Sequence, residues 1–305
     1  MLDLRRLRLL RELAHRETIG AVAEALSYSP SSVSQQLAQL EKEAGVKLLE
    51  RAGRNVRLTA AAQTLVTHAD ALLARVEEAE ADLAATAGQV TGTVRIATFQ
   101  SAGLFLLAPA LKRLAATHPG LHAHVEDAES ETTLPSLALG ALDLVLGDDY
   151  PFVPRRPDPR LDVEELLREQ FRIVLPAVHP LARDGAAIPL AALRHEPWAA
   201  GKEHGDYAEL TIRACRTWGG FEPEIRHRSN DLMILLALVA AGQAVTLLPD
   251  LVHAEREPAV AVRDLAEGSI HRTVFSAIRR GSTRRPALIA LREALHEQAA
   301  IHSAA

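Results

Sequence analysis

Leu4, Leu7, Leu10 and Leu13 recur at every third position, which predicts an amphipathic helix over residues 4–16. Thr18 is placed to cap a second helix over 19–26, with Ile19, Val22, Ala23 and Leu26 inward and small alanines allowing close approach. A third helix opens at Ser29 as N-cap with Pro30 in the first turn and ends near Gly45. Its apolar stripe is Val33, Leu37 and Leu40. At about 100° per residue, Ser31, Gln35 and Ala38 lie opposite that stripe, flanked by Ser34 and Gln39. An exposed face of Ser and Gln, rather than Glu and Lys, suits the edges of bases in a DNA major groove. Two short helices joined by a three-residue turn form a helix-turn-helix whose second helix reads.

Residues 48–58 then predict a hairpin, with Gly53 and Asn55 available for the turn. It carries Arg51, Arg54 and Arg57, a wing beside the reader helix and a set of phosphate clamps. Residues 60–86 contain no Pro or Gly, and Leu65, Ala69, Leu72, Val76, Ala79 and Leu83 keep a +4, +3 spacing. That is a coiled-coil seam on a helix of roughly 40 Å, and a narrow apolar stripe of that length calls for a partner helix.

Past Gly88 and Gly92 the period changes to alternating strands and helices, the signature of an α/β domain. Strands are expected at 93–99, 121–127, 142–146, 171–175, 224–227, 245–248 and 272–279. Helices are expected at 101–117, 132–139, 207–218, 232–241 and 285–298. A Pro-rich crossing (Pro151, Pro154, Pro157, Pro159) separates two similar halves, so the domain reads as two lobes. A cleft between such lobes is the default ligand site.

Charge sharpens the division of labour. The chain of 305 residues carries a net charge of −5, which by itself argues against nucleic acid. Residues 1–60, however, hold ten Lys/Arg against seven Asp/Glu, a net +3, leaving −8 for the rest. A basic head on an acidic body assigns the polyanion to one domain only. The single cysteine, Cys215, excludes an intramolecular disulfide and fits a reducing compartment. Arg5, Arg6 and Arg8 break the N-terminus and no long apolar run follows, so neither a signal peptide nor a membrane span is expected, and the location expected is cytoplasmic.

The N-terminal phrases resemble the LysR-type transcriptional regulators. The residues that carry the likeness are Leu4-Arg5-Arg6-Leu7, Ala23-Glu24-Ala25-Leu26, Ser29 to Leu37, Leu40-Glu41, Gly45 to Arg51 and Arg57-Leu58-Thr59. Later phrases extend it along the chain: Leu142 to Gly147, Leu175 to Leu181, His195-Glu196-Pro197-Trp198 and Ala240 to Pro249. Gln35 stands where that family commonly has Arg, Leu49 where Phe is usual and Ala62 where Gly often follows. The Gln35 departure matters, because Gln pairs well with adenine and Arg with guanine. The resemblance implies a multidomain α + α/β protein. A winged helix-turn-helix (1–59) and a dimerising linker helix (60–88) precede a two-lobed α/β effector-binding domain (93–300) like that of periplasmic binding proteins. Lobe I would comprise 93–161 and 267–300 and lobe II 162–266, with crossings near 160–165 and 262–267. It also implies a homodimer or homotetramer that binds double-stranded DNA and a small-molecule effector, with RNA polymerase as a further candidate partner.

The expected DNA-contacting residues are Thr18, Ser29, Pro30, Ser31, Ser34, Gln35, Gln36, Arg51, Arg54 and Arg57. For the effector, Phe99-Gln100-Ser101-Ala102 leaves the first strand and opens a helix, offering free N–H groups and a hydroxyl to an anion such as a carboxylate. The resemblance adds Glu129, Ser130 and Asp149 from lobe I. From lobe II, Gly201, His204, Tyr207, Ser229 and Thr246 would face the same cleft. No nucleophile elbow, P-loop or His-Glu-x-x-His motif is present, so neither an enzyme nor a cofactor is expected. His122 and His124 share one face of a strand whose Ala123 and Val125 would point to the core, and no carboxylate obviously completes a metal site. The same two lobes would also suit a solute-binding protein without a DNA role, but the basic winged head argues against it.

Overall fold

In the computed structural model, which describes residues 1–52, 55–153 and 155–303, the first helices begin at side-chain caps. The Asp3 carboxylate accepts from the amides of Arg5 and Arg6 at the start of α1 (Leu4–Arg16). Thr18 opens α2 (Ile19–Ala25) and Ser29 opens α3 (Pro30–Ala44), each hydroxyl accepting an amide three residues on. These caps satisfy donors the helix itself leaves open. Leu7, Leu10, Leu13, Val22, Val33, Leu37 and Leu40 are buried in one core. Leu4 is exposed and Leu9 buried in its stead, because α1 packs on α4 (Ala60–Ala87) as well as on α3.

β1 (Leu49–Ala52) and β2 (Asn55–Leu58) form an antiparallel hairpin. Glu41 of α3 ties it down, its Oε1 accepting from Leu48 N at 2.8 Å and Leu49 N at 3.0 Å. Gly53 and Arg54 of the expected wing turn, and Pro154 of the Pro-rich crossing, lie outside the described residues. α4 is 28 residues long, capped by Thr59 and closed by Gly88 at φ 65°. Leu65 and Ala69 of the expected seam pack into the N-terminal core, whereas Leu72, Val76 and Leu83 are exposed. The first turns of the stripe therefore serve the helix's own domain, and the remainder stays open.

The chain divides into two compact units, residues 1–88 with 280–285 and the remainder. In the second unit the strands are β3 (Gly92–Thr98), β4 (Leu121–Asp127), β5 (Leu144–Asp149), β6 (Leu161–Pro176), β7 (Pro197–Ala200), β8 (Glu224–Arg228), β9 (Thr246–Pro249), β10 (Val260–Arg263) and β11 (Ile270–Arg279). Among the described residues they make a sheet in the order β10-β6-β11-β5-β3-β4, with β9 also paired to β6, and a separate parallel β7–β8 pair. α5 (Gln100–Ala102) runs through a π-helical turn into α6 (Ala108–Thr117). α7 (Ser130–Ala138), α8 (Asp206–Ala214), α9 (Leu232–Ala240) and α10 (Pro286–Ser303) cover the sheet faces or pack nearby. One core gathers Ile96, Leu106, Leu144 and Leu291; another gathers Phe171, Trp198, Tyr207 and Leu235.

β6 differs most from the sequence reading. Residues 160–165 were expected as a crossing and only 171–175 as strand, yet β6 is a single strand of 16 residues that pairs with β11 along its first part and with β9 and β10 along its last. Leu167 faces Val274 and Glu165 faces Phe275, so Leu166 is an extra residue, a bulge. A bulge shifts the phase of the alternation, leaving Leu166 and Leu167 both buried and masking the strand from a period-2 reading. Val125 is another correction: β4 is the edge strand, and Val125 is exposed rather than in the core. Among the described residues no helix is long and apolar enough to cross a membrane.

Candidate functional site

The exposed face of α3 is free in its centre and internally tied at its ends. Ser29 caps the helix and shares a hydrogen bond of 2.9 Å with Ser31. The Ser34 hydroxyl donates to Pro30 O at 3.0 Å. Gln36 accepts from Arg6 Nε of α1 at 2.9 Å, so its amide is engaged within the fold. Gln35 is exposed and makes no side-chain hydrogen bond among the described residues. Thr18 is occupied as the cap of α2. In the wing, Arg51 and Arg57 are exposed; Arg57 Nη2 donates to Glu50 Oε2 at 3.1 Å, directly across the hairpin. Between side chains as exposed as these such a pair is weak, so it can yield to a phosphate.

The α/β unit is built around a buried arginine that the sequence reading missed. Arg272 on β11 is 3% exposed and donates to Glu169 Oε1 (2.8 Å), Asp148 Oδ2 (3.0 Å) and Ser101 Oγ (2.9 Å). Its guanidinium lies over the rings of Phe99 and Phe171, 4.9 Å and 5.7 Å from their centroids. Burial works against its charge, but Glu169, Tyr150 and Asp148 more than restore it and hold its pKa above the ordinary arginine value. Tyr150 completes the group by donating to Asp148 Oδ2 at 2.6 Å. The available signal was an arginine in phase with the inward-facing Ile270 and Val274 of an alternating strand.

Next to this group lies a cavity of about 210 Å³. Glu129, Glu131 and Asp148 reach it from one side, and His204, Asp206 and Tyr207 from the other. Burial raises the Glu129 pKa to about 7, helped by the charges of Asp148 and Glu131 and partly offset by a hydrogen bond with Asn230. Burial, then Glu131, raises Asp206 to about 6. The Asp206 amide donates to Glu131 Oε1 at 3.2 Å, linking two residues of the cavity wall. Tyr207 stacks on Phe171, donates to Leu247 O at 2.6 Å, and is pushed by burial up to about 12.

Of the expected effector residues, Phe99, Gln100, Ser101, Glu129, His204 and Tyr207 line this cavity or the narrow pocket beside Arg272. The others do not. Asp149 points away to Arg155 (2.9 Å), and Asp148, one position earlier on the alternating strand, takes the cleft side. Ser229 accepts from Asp231 N as a turn residue, and its neighbour Asn230 lines the cavity. Thr246 is buried, donating to Ala199 O, while Ala102 and Ser130 are packed in the interior. Gly201 lacks room for a Cβ, which would fall 2.8 Å from Ala208 N, so its role is close packing. A carboxylate effector also meets an obstacle: Ser101 is already bonded to Arg272, and the cavity is lined by acids.

Residues 4–63 match the bacterial regulatory helix-turn-helix protein, lysR family, and residues 87–300 match the LysR substrate binding domain. The chain belongs to the LysR family. It is 28% identical over 262 residues to the transcriptional dual regulator GltC of Bacillus subtilis (strain 168), covering 86% of this chain and 85% of GltC. It is 30% identical over 240 residues to a probable hydrogen peroxide-inducible genes activator of Mycobacterium avium, covering 78% and 74% of the two chains. A full-length OxyR variant from Pseudomonas aeruginosa shares the fold, with a TM-score of 0.70 at 22% identity, covering 97% of this chain and 95% of that one. This LysR-type protein is thus a transcriptional regulator joining a helix-turn-helix DNA-binding domain to an effector-binding domain. Regulators of this family bind DNA and small-molecule effectors. The match over residues 4–63 leaves the solute-binding alternative without support.

Proposed function

We propose that this LysR-type regulator works in the cytoplasm and without enzymatic activity. The proposed division is a winged helix-turn-helix over 1–59, a dimerising linker helix over 60–88 and an effector domain over 93–300. In that domain lobe I is 93–161 with 267–300, and lobe II is 162–266. Gln35 reads a base edge, and Arg51, Arg54 and Arg57 hold phosphates. The exposed Leu72, Val76 and Leu83 of α4 meet the same stripe of a second copy, which presents two readers to two half-sites.

The effector occupies the cavity lined by Glu129, Glu131, Asp148 and Asp206, and its entry changes how the lobes close. Five carboxylates (Glu129, Glu131, Asp148, Glu203 and Asp206) against the one lysine, Lys202, in one small space favour a ligand that brings positive charge or N–H donors over one that brings a carboxylate. Cys215 is the chain's single cysteine, and burial, then Glu222, pushes the thiol up to about 12.

The observation that carries the DNA-reading proposal is Gln35, free and exposed in the second turn of α3. Binding-site selection with Gln35→Ala tests it. A bidentate Gln–adenine contact contributes about 1–3 kcal/mol of discrimination, so preference at one base position of each half-site is expected to relax. Recovery of an unchanged motif removes Gln35 from the reading face.

A further inference from the structure

A second cavity, about 680 Å³ in volume, lies against the strands that join the two halves of the effector domain. On β6, Arg168, Gln170 and Arg172 alternate with the buried Leu167, Glu169 and Phe171, and the register sets His271 of β11 opposite Gln170. Arg256, His253 and His302 complete the basic part of the wall. The acids in the wall are already engaged. Asp250 holds Arg172 at 2.9 Å and Glu255 holds His253 at 3.3 Å. Glu169 accepts from Arg272 and, at 2.6 Å, from Leu251 N. Arg168 and Arg256 are exposed and have no ion-pair partner among the described residues. Two guanidinium groups without ion-pair partners beside half-buried imidazoles give one part of the wall the chemistry to take an anion, unlike the cavity around Glu129, where carboxylates predominate.

The geometry points to a second ligand site here, one that takes a small polyanion carrying at least two negative charges, a phosphate ester or a polycarboxylate. Arg168 and Arg256 supply the charge, and His271 of β11 supplies a further ring nitrogen, while His302 is turned to Phe105 O at 3.0 Å. Glu169 lies in the wall of this cavity and also holds Arg272, whose other contacts are Asp148 of the effector cavity and Ser101 of the narrow pocket beside it.

Calorimetric titration of the full-length protein with pyrophosphate and, separately, with citrate at fixed ionic strength tests the site. Saturable one-to-one binding of at least one of them is expected. The one that binds assigns the phosphate or the polycarboxylate class. Arg168→Ala with Arg256→Ala is expected to weaken binding tenfold or more. Both side chains are exposed, and a thermal melt that matches the wild type confirms that the fold is kept. Arg57→Ala and Glu129→Gln are expected to leave the affinity within twofold, which separates the site from the DNA-binding head and from the first cavity. Absence of saturable binding by either anion overturns the proposal. So does wild-type affinity in the double arginine variant, or loss of binding in Arg57→Ala or Glu129→Gln instead.

Discussion

Arg57 in the wing and Arg272 in the effector domain are the same arrangement in opposite surroundings. Each arginine sits directly across a strand pair from a glutamate, Arg57 from Glu50 and Arg272 from Glu169. The wing pair is 75% and 54% exposed at its side chains, the domain pair 3% and 6%. In water the charges are screened and the pair contributes little, so Arg57 is available to a passing phosphate. In the interior neither charge can be left alone, and Arg272 collects Asp148, Ser101 and two aromatic rings as well as Glu169. Burial, rather than the chemistry of the partners, decides which pair is scaffold and which is contact surface.

The largest expected effect comes from Arg272→Leu. Removing the guanidinium leaves Asp148 and Glu169 buried and unpaired, at a cost of about 3–5 kcal/mol to the effector domain. Thermal or urea unfolding of the variant reads this loss, and a melt within a degree of the wild type would make the buried pair as dispensable as the exposed one. Glu129→Gln probes the middle of the range. The Glu129 pKa is raised from its ordinary value of 4.5 to about 7, so the folded state keeps a proton that the unfolded state releases. Stability should therefore fall as pH rises from about 4.5 through 7, with Asp206 adding to the slope up to about 6. The Gln variant should flatten that fall and melt a few degrees higher than the wild type at pH 8, at roughly 2–4 °C per kcal/mol for a domain of this size. Parallel pH–Tm curves for the two proteins would remove Glu129 as the cause.

Arg57→Ala should be the mildest for stability, within about 0.5 kcal/mol. Its effect belongs to DNA. Binding to specific and random duplexes should weaken alike, and the salt slope should fall by about one. An unchanged slope takes Arg57 out of the phosphate contacts and leaves the exposed pair with no demonstrated use.

Legibility follows the same division. The winged head could be read closely because its determinants are local. Caps at Thr18 and Ser29 and the stripe Val33, Leu37, Leu40 all act within a few residues. The cleft was read only in part. Loops such as Phe99–Ser101 announce themselves at a strand end, but the choice of Asp148 over Asp149 and of Asn230 over Ser229 depends on which way a side chain leaves the backbone. A one-residue difference in facing exchanges the interior for the surface.

What the sequence alone determined was the helices of the head, most of the helices and strands of the α/β domain, the basic head, the reader face with Gln35 and the family likeness, because periodicity, capping and charge are properties of short stretches. What only the tertiary structure decided was the meeting of Arg272 with Glu169, 103 residues away, and with Asp148, 124 residues away. That meeting is set by the register of β11 against β6 and β5, including the bulge at Leu166. Strand register over such separations depends on the whole packed sheet, and no local pattern encodes it.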